Sequence, residues 1–313
     1  MINQGSGTLK SKVFAYATKT LGFEDCRFTD LELSLSAAVY KEWLGKGFHG
    51  EMGYLAKHMP FKENPRLLLP DARSAVVVIK NYNNTLARRL ANRFKIARYA
   101  VGKDYHDVML KGLKRLEDFL KEEAPSMACY SAVDNRPVSE RSFALKAGIG
   151  FLGKNSMVIK PGLGSYFFIG VILTNHHFQP DLPLIKDCGE CRLCVEACPT
   201  GAINENSTLD ATKCLSYKTI ERKAHLAESE AKTASGWVFG CDICQEVCPY
   251  NHGRRSLTDW IEFLPASGVG FDFFDRDAGD VTQKKLPKDS PLKRAKERLW
   301  LNWRALKEAC KKN

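Results

Sequence analysis

The stretch 187-DCGECRLCVEACPTGA-202, followed by Cys214 and by 240-GCDICQEVCPYN-251, holds eight of the chain's eleven cysteines. The spacing Cys188-x2-Cys191-x2-Cys194-x3-Cys198-Pro199 is a run that ligates cubane iron-sulfur clusters. In two-cluster proteins the fourth cysteine of such a run serves the other cluster. The expected ligand sets therefore cross over: Cys188, Cys191, Cys194 and Cys248 for one 4Fe-4S cluster, and Cys198, Cys214, Cys241 and Cys244 for the other. The second block lacks the first cysteine of the pattern, and Cys214, upstream on a separate segment, is the nearby candidate to replace it. Two structural zinc sites with four thiolates each are the competing reading. Zinc ribbons, however, use two separated C-x2-C knuckles and not a tight quartet ending in Cys-Pro. Cys26, Cys129 and Cys310 have no partner spacing and read as buried small hydrophobes.

With 313 residues, 44% of them hydrophobic, the chain can build one large core beside a smaller cluster-bearing unit. The longest apolar stretch, Tyr166 to Leu173, is strand-sized, so no membrane span is expected. Met1 to Lys12 is polar, without the apolar core of an export signal, which makes the expected compartment the cytoplasm and a disulfide framework unexpected. The formal charge is +11. Two clusters with four thiolates each carry about −2 apiece, which leaves roughly +7 and favours a polyanionic partner. Positive charge concentrates between Lys284 and Asn313, with eleven Lys or Arg against three acids, and at Arg88, Arg89, Arg93, Lys95 and Arg98. The final stretch reads as an amphipathic helix that starts at Pro291 after Ser290. Leu292, Ala295, Leu299, Trp303, Leu306 and Cys310 form its apolar face, and cations form the other.

Helical spacing of Val13, Phe14, Ala17 and Leu21 predicts a first helix stopped by Gly22, and Ser36 to Lys46 a second, stopped by Gly47. Ala75 to Lys80 reads as a buried central strand. Asp104 to Glu123 is the clearest helix, and Cys129 to Val133 is a strand that delivers Asp134 at its end. Ser139 is expected to cap a helix that ends at Gly148. Ser156–Lys160 and Tyr166–Thr174, joined by Pro161 to Gly164, read as an antiparallel hairpin. The class is α+β, with a boundary at His176 to Pro183 and a cluster module running to about Asn251. Three units are expected: 1–175, an α/β catalytic domain; 176–255, a ferredoxin-like module with two 4Fe-4S clusters; and 256–313, a basic segment with a C-terminal helix.

A free-standing two-cluster carrier needs only about sixty residues, so the chain ahead of the clusters must hold a redox acceptor. No G-x-G-x-x-G opens a helix after a strand and no Cys-x-x-Cys-His occurs, which leaves corrin and flavin open. The stretch VDNRPVSERSFALKAGIGFLGKNSMVIKPGLGSYFFIGVILTN, Val133 to Asn175, resembles the epoxyqueuosine reductase family. So do CGECRLCVEACPTGAI, CLSYKTIE, GCDICQEVCPYN, GFHGEMGYL (Gly47 to Leu55) and GKDYHD (Gly102 to Asp107). The resemblance implies a nitroreductase-like α/β cobalamin domain joined to the cluster module. It also implies reduction of epoxyqueuosine to queuosine at the wobble position of tRNA, the RNA being bound through its anticodon stem-loop. An external donor of flavodoxin or ferredoxin type would feed the clusters, and a monomer is expected.

By the same resemblance Asp134 is the general acid that protonates the opening oxygen. That role asks for a neutral carboxyl near pH 7, raised by burial against the corrin, whereas the bland alternative is an Asp capping the turn before Pro137. Asp134 is also expected to contact the cofactor, with Lys57, Lys154, Asn155, Ser165, Ser216 and Asp242. Asp104-x-His106 begins like the signature of a histidine that ligates cobalt, but Met109 stands where that signature demands glycine. His106 therefore reads as a helix-surface residue and the corrin as bound without a protein histidine. Asn135-Arg136 departs from the small residues usual after the acid, and a guanidinium there would lower the Asp134 pKa. Longer relatives extend into helical repeats. The basic face of Pro291 to Lys312, with Lys218, Arg222 and Lys223, is expected to contact phosphates here. The rival readings are a reductive dehalogenase-like cobalamin enzyme acting on a small organohalide and a ferredoxin-type electron carrier.

Overall fold

Every residue of the strand Ser74–Asn81 is buried, as its unbroken apolar run requires. It pairs antiparallel with Asp25–Thr29 on one side and with Phe167–Thr174 on the other, and the latter pairs antiparallel with Cys129–Ala132. These make one four-stranded sheet. Successive side chains of a strand face opposite ways. Val76 and Val78 therefore enter a core with Met109, Leu113, Leu116 and Leu120 of the helix Tyr105–Glu123. Ala75, Val77 and Ile79 enter a second core with Phe143, Ala144 and Ala147. Gly170 sets how closely the long helix lies on the sheet: a Cβ there would come 2.9 Å from the Leu113 side chain.

The computed structural model describes residues 7–84, 93–253, 256–275 and 286–311. Arg88, Arg89, Lys284, Lys285 and Lys312 of the predicted basic clusters lie outside them. No helix among the described residues is long and apolar enough to cross a membrane.

Three local expectations are corrected. The predicted hairpin exists only as a bridge between Lys160 and Gly164. Beyond it the arms part, and Val158–Ile159 pairs with Phe151–Leu152 instead. Phe167–Thr174 pairs along its whole length with Ser74–Asn81, and Cys129–Ala132 takes Val171 to Thr174 on its other edge. The C-terminal segment is not one helix from Pro291. A 3₁₀ turn, Pro291–Ala295, ends at Lys296, whose φ is +50°, and the α-helix Arg298–Lys311 follows. Leu292, Ala295, Leu299, Trp303 and Leu306 are buried as the pattern predicts. Cys310 is exposed and Cys129 is half-buried, and of the three cysteines outside the two ligand sets Cys26 alone is fully buried. Ser139 sits at the N-terminus of the helix Glu140–Lys146 but makes no side-chain cap bond.

The C-terminal helix is built into a third core. Leu299, Trp303 and Leu306 pack with Ile96, Leu215, Ile220, Trp237 and Phe239, which draws together stretches far apart in sequence. Lys80, fully buried, ties in a further stretch: its ammonium donates to the Gly22 carbonyl at 2.6 Å, to Glu24 at 3.1 Å and to the Asp259 carboxylate. A buried cation without such partners would be strongly destabilising.

Gly148 ends its helix at φ +75°, and a Cβ there would meet the Leu182 carbonyl at 2.2 Å. Gly148→Ala is therefore expected to cost roughly 2 kcal/mol or more, through both backbone strain and clash. Urea denaturation of the two proteins checks it, and an unchanged midpoint would contradict the packing described.

Candidate active site

The cysteine loops fold around short helices, Leu193–Glu196 and Ile243–Glu246, that carry Cys194 and Cys244. Burial raises the Cys194 thiol first of all, and Cys188, Cys248 and Cys191 raise it further. Burial raises Cys248 likewise, with Cys188 and Cys191 adding to it. Burial pushes Cys241 up and the charges of Cys214 and Cys198 add to this, while Cys244 is driven up by burial and by Cys241 and Cys214. Cys194 and Cys248 thus lie in the fields of Cys188 and Cys191, and Cys241 in those of Cys214 and Cys198, while Cys244 feels Cys194 as well as Cys241 and Cys214.

These buried sulfurs are offered amides. Ser216 and Tyr217 donate toward Cys214, Ile243 toward Cys241, and Tyr250 and Asn251 toward Cys248. Amides aimed at sulfur favour the thiolate, which burial alone would forbid, so the donor set suits sulfur bound to metal.

Across the sheet, Asp134 follows the strand Cys129–Ala132 in the left-handed region, at φ +40°. Non-glycine residues in that region carry strain of order 1 kcal/mol or more and cluster at functional sites. Its side chain is 55% exposed, so one side of the carboxylate faces open space. The other side is ringed by donors. Tyr105 Oη donates to Oδ2, His106 Nε2 lies 3.3 Å away, and Arg294 Nη1 lies 3.7 Å away. Burial raises the Asp134 pKa, but the bonds to His106 and Tyr105 and the charges of His106 and Arg294 outweigh it and hold the carboxyl down at about 2. Among the protein's own groups those that favour the ionised carboxyl outweigh burial, and the rise expected from burial against a corrin would have to overcome them.

His106 is the counterpart. It is buried, with Asp104 Oδ1 2.6 Å from Nδ1 and Asp134 on Nε2. Burial opposes its charge, yet the two carboxylates raise its pKa to about 9. The expectation of a surface histidine is therefore corrected. With both ring nitrogens engaged, it has none to offer a metal. The guanidinium that depresses Asp134 is also not the expected one, because Arg136 lies 5.9 Å over the Tyr130 ring while Arg294 faces the acid.

Of the remaining predicted residues, several join the two halves of the site. Asn155 is buried and donates to the Cys244 carbonyl at 3.2 Å. Ser165 is buried, its hydroxyl donates to Gln245 Oε1 at 2.9 Å and its backbone amide donates to Asn251 Oδ1 at 2.7 Å. Asp242 is buried and accepts the Arg98 amide at 2.8 Å. Lys154 donates to the Gly189 carbonyl at 2.9 Å. Ser216 follows Cys214 and is partly buried, and Lys57 is exposed at the end of the short helix Tyr54–Lys57. The Tyr54 hydroxyl, raised to about 12 chiefly by burial, feels Glu221, Arg294 and Asp134, so it borders the space in front of the acid. Tyr99 is partly buried and lies in the fields of Arg294, Asp134 and Asp242.

Comparison with known proteins agrees with this pairing of centres. The family model described as "Epoxyqueuosine reductase QueG, DUF1730" matches residues 62–135, and the 4Fe-4S double cluster binding domain matches residues 187–251. The epoxyqueuosine reductase of Cyclobacterium marinum is 39% identical over 281 residues, which cover 88% of this chain and 89% of that one. The chain belongs to the epoxyqueuosine reductase family. A solved epoxyqueuosine reductase bound to a tRNA-Tyr epoxyqueuosine-modified stem loop aligns with TM-score 0.79 and 32% identity, covering 95% of this chain and 80% of the other. The Bacillus subtilis epoxyqueuosine reductase, solved with its catalytic aspartate loop swung out of the active site, aligns with TM-score 0.78 and 31% identity over the same shares.

In this epoxyqueuosine reductase, sequence reasoning missed Tyr105, His106 and Arg294 as neighbours of the acid. The first two had a signal, a Tyr-His pair in the first turn of a helix whose cap, Asp104, is itself a carboxylate. Arg294 had none, since only tertiary packing carries it 160 positions back along the chain to Asp134.

The pair has a definite pH window. Asp134 contributes stability above its ordinary 3.8, lost as pH falls through about 2. His106 contributes fully below its ordinary 6.5, lost as pH rises through about 9. An NMR titration of the His106 ring should find a midpoint near 9, and Asp134→Asn should lower it by roughly one pH unit or more. A wild-type midpoint near 6.5 would contradict the paired geometry.

Proposed function

We propose that this enzyme reduces epoxyqueuosine to queuosine at the wobble position of tRNA, with cobalamin fed by two 4Fe-4S clusters. The observation that carries the reading is Tyr99, partly buried and within the fields both of Asp134 and of Asp242, the neighbour of Cys241. An acid and an electron source thus face one space. Removing an epoxide oxygen as water takes two electrons and two protons, whereas cubane clusters deliver electrons singly, so a centre able to hold both must lie between them.

The residues in front of the acid suit such a group. Tyr54 is 43% exposed there, and Gly53 has nothing within 4 Å of the position its Cβ would take. Lys57, Lys154, Asn155, Ser165, Ser216 and Asp242 are the residues proposed to hold the corrin, with Asp134 against its face. Cobalamin would supply there a reduced cobalt centre that acts on the epoxide carbon. No histidine ligand is proposed, because both nitrogens of His106 are taken.

Asp134 is proposed to protonate the opening oxygen, but its proton does not reside on it at rest. At neutral pH the proton sits on His106, which Asp104 holds through Nδ1. His106 passes it to Asp134 across the 3.3 Å contact as charge develops on the substrate oxygen, and Tyr105 orients the carboxylate. The strained backbone at Asp134 fits a loop that moves, as the loop of the Bacillus subtilis enzyme does.

For the RNA, the expected cations divide. Lys218 and Arg222 are paired with Glu230 at 3.0 and 2.7 Å, and Arg298 caps the carbonyls of Ile220, Glu221 and Arg222. They fasten the C-terminal helix. Lys223, Lys293 and Lys296 are exposed and are proposed to meet phosphates. The proposed division by role is 1–175 for corrin and acid, 176–255 for the clusters and 256–313 for RNA contact. The enzyme is proposed to act in the cytoplasm as a monomer, with an external flavodoxin- or ferredoxin-type donor.

Replacing the chromosomal copy by Asp134→Asn and measuring tRNA nucleosides by mass spectrometry tests the function. Epoxyqueuosine should accumulate, the purified variant should keep iron and corrinoid, and turnover should fall by about 100-fold or more. Normal queuosine content would reject the reading. For the crossed ligand sets, Cys248→Ser and Cys188→Ser are each expected to disturb the same cluster's electron paramagnetic resonance signal and to leave the other intact. Disturbance of different clusters would refute the pairing.

A further inference from the structure

Among the cations that the sequence groups between Arg88 and Arg98, Arg98 is withdrawn from solvent, its side chain only 10% exposed. Its backbone amide donates to Asp242 Oδ2 at 2.8 Å and its Nη1 donates to Asn83 Oδ1 at 2.9 Å, while Nη2 stands 4.0 Å from Glu246 Oε1. The guanidinium also lies 4.6 Å over the Tyr166 ring, which closes that side with an aromatic face. Asp242 and Glu246 flank Cys244, two residues away on either side, and Tyr82 lies in the fields of Asp242, Arg98 and Cys244 together. No residue from Trp237 to Cys248 is exposed. A permanent cation is therefore held against a cysteine loop, away from water.

We infer that Arg98 raises the reduction potential of the cluster whose ligands include Cys241 and Cys244, so that the first electron to enter the protein rests there. The inference rests on the two-cluster reading above and adds which cluster holds the electron and which side chain decides it. Reduction adds one electron to a cubane with four thiolates, taking its charge from about −2 to about −3, and makes or breaks no bond to Arg98. A nearby cation stabilises that added charge, the more so the less water screens it. Asp242 and Glu246 act in the opposite sense from the same loop, and the guanidinium offsets them. Around Cys188 and Cys191 the neighbouring cations Lys186 and Arg192 are exposed, so the bias between the two clusters falls toward the Cys244 loop. Arginine keeps its charge at any working pH, which makes the bias permanent. The favoured cluster is also the one on the side of the acid, since Tyr99 lies in the fields of both Asp134 and Asp242.

Arg98 is thus a positioning residue for the electron, and its signature is a midpoint potential rather than a rate. Dithionite titration of the holoenzyme, followed by electron paramagnetic resonance, reads the midpoint of each cluster. Arg98→Met, which keeps the stem and removes the charge, should lower one of them. At a fixed poise the reduced-to-oxidised ratio of that cluster should fall about tenfold, equivalent to about 59 mV for a one-electron couple, while the other moves far less. The signal that moves should be the one that Cys188→Ser leaves intact. Arg98→Lys should keep most of the wild-type value, and Glu246→Gln, which removes the carboxylate 4.0 Å from the guanidinium, should shift the same midpoint upward. A merely structural role would broaden or abolish a signal in Arg98→Met and Arg98→Lys alike and leave the Glu246→Gln midpoint in place, and that outcome would overturn the inference. So would an intact Arg98→Met protein with unmoved midpoints, the two-cluster reading then still standing. If Arg98→Met does not assemble its clusters, Glu246→Gln decides, an unmoved or lowered midpoint counting against the inference. A wild-type protein without two cluster signals would overturn both readings.

Discussion

A thiol buried where it cannot ionise alone is the constraint from which much of this molecule follows. Burial dominates the shifts of Cys214, Cys241, Cys244 and Cys248, yet backbone amides are aimed at three of these four sulfurs. Such loops are satisfied only when metal takes the place of the thiol protons, so iron binding energy becomes folding energy for the module. The consequence extends beyond it. The segment carrying Cys241, Cys244 and Cys248 is also held by Asn155, Ser165 and the Arg98 amide. Ordering of the cluster loops and ordering of the wall beside the acid are therefore one event.

The second organising feature is a separation of charge. Asp104, His106 and Asp134 stand in line, with a proton shared toward the middle because carboxylates lie on both sides of the imidazole. Two groups whose pKa values are pushed apart, one to about 2 and one to about 9, divide the work of proton holder and proton deliverer. That arrangement is assembled from a helix N-terminus, a strained strand end and a turn of the C-terminal stretch. It exists only when the three cores are packed.

Much of the architecture could be read from local pattern. The central strand announced itself because a run buried on both faces must be apolar throughout, and the long helix because its apolar stripe recurs at helical spacing. The cysteine blocks announced their chemistry because ligand spacing is a local property of the loop. What failed was whatever depended on neighbours. The hairpin was lost because its first arm, Val158–Ile159, pairs with Phe151–Leu152 instead. The terminal helix broke at Lys296, where buried Leu292 and Ala295 on one side and Leu299 on the other enter one core from two directions. Asp242 and Ser165 turned out to hold cysteine loops to the sheet, contacts invisible along the chain.

By itself the amino-acid sequence determined the double-cluster module, the α+β class, the central strand and long helix, and the position of Asp134 at a strand end. Each is settled by residue type and spacing over a few turns. Tertiary structure alone decided which groups surround that acid. A carboxylate's pKa depends on which charges stand within a few ångströms, and Tyr105, His106 and Arg294 reach Asp134 only through the packing of elements up to 160 residues away.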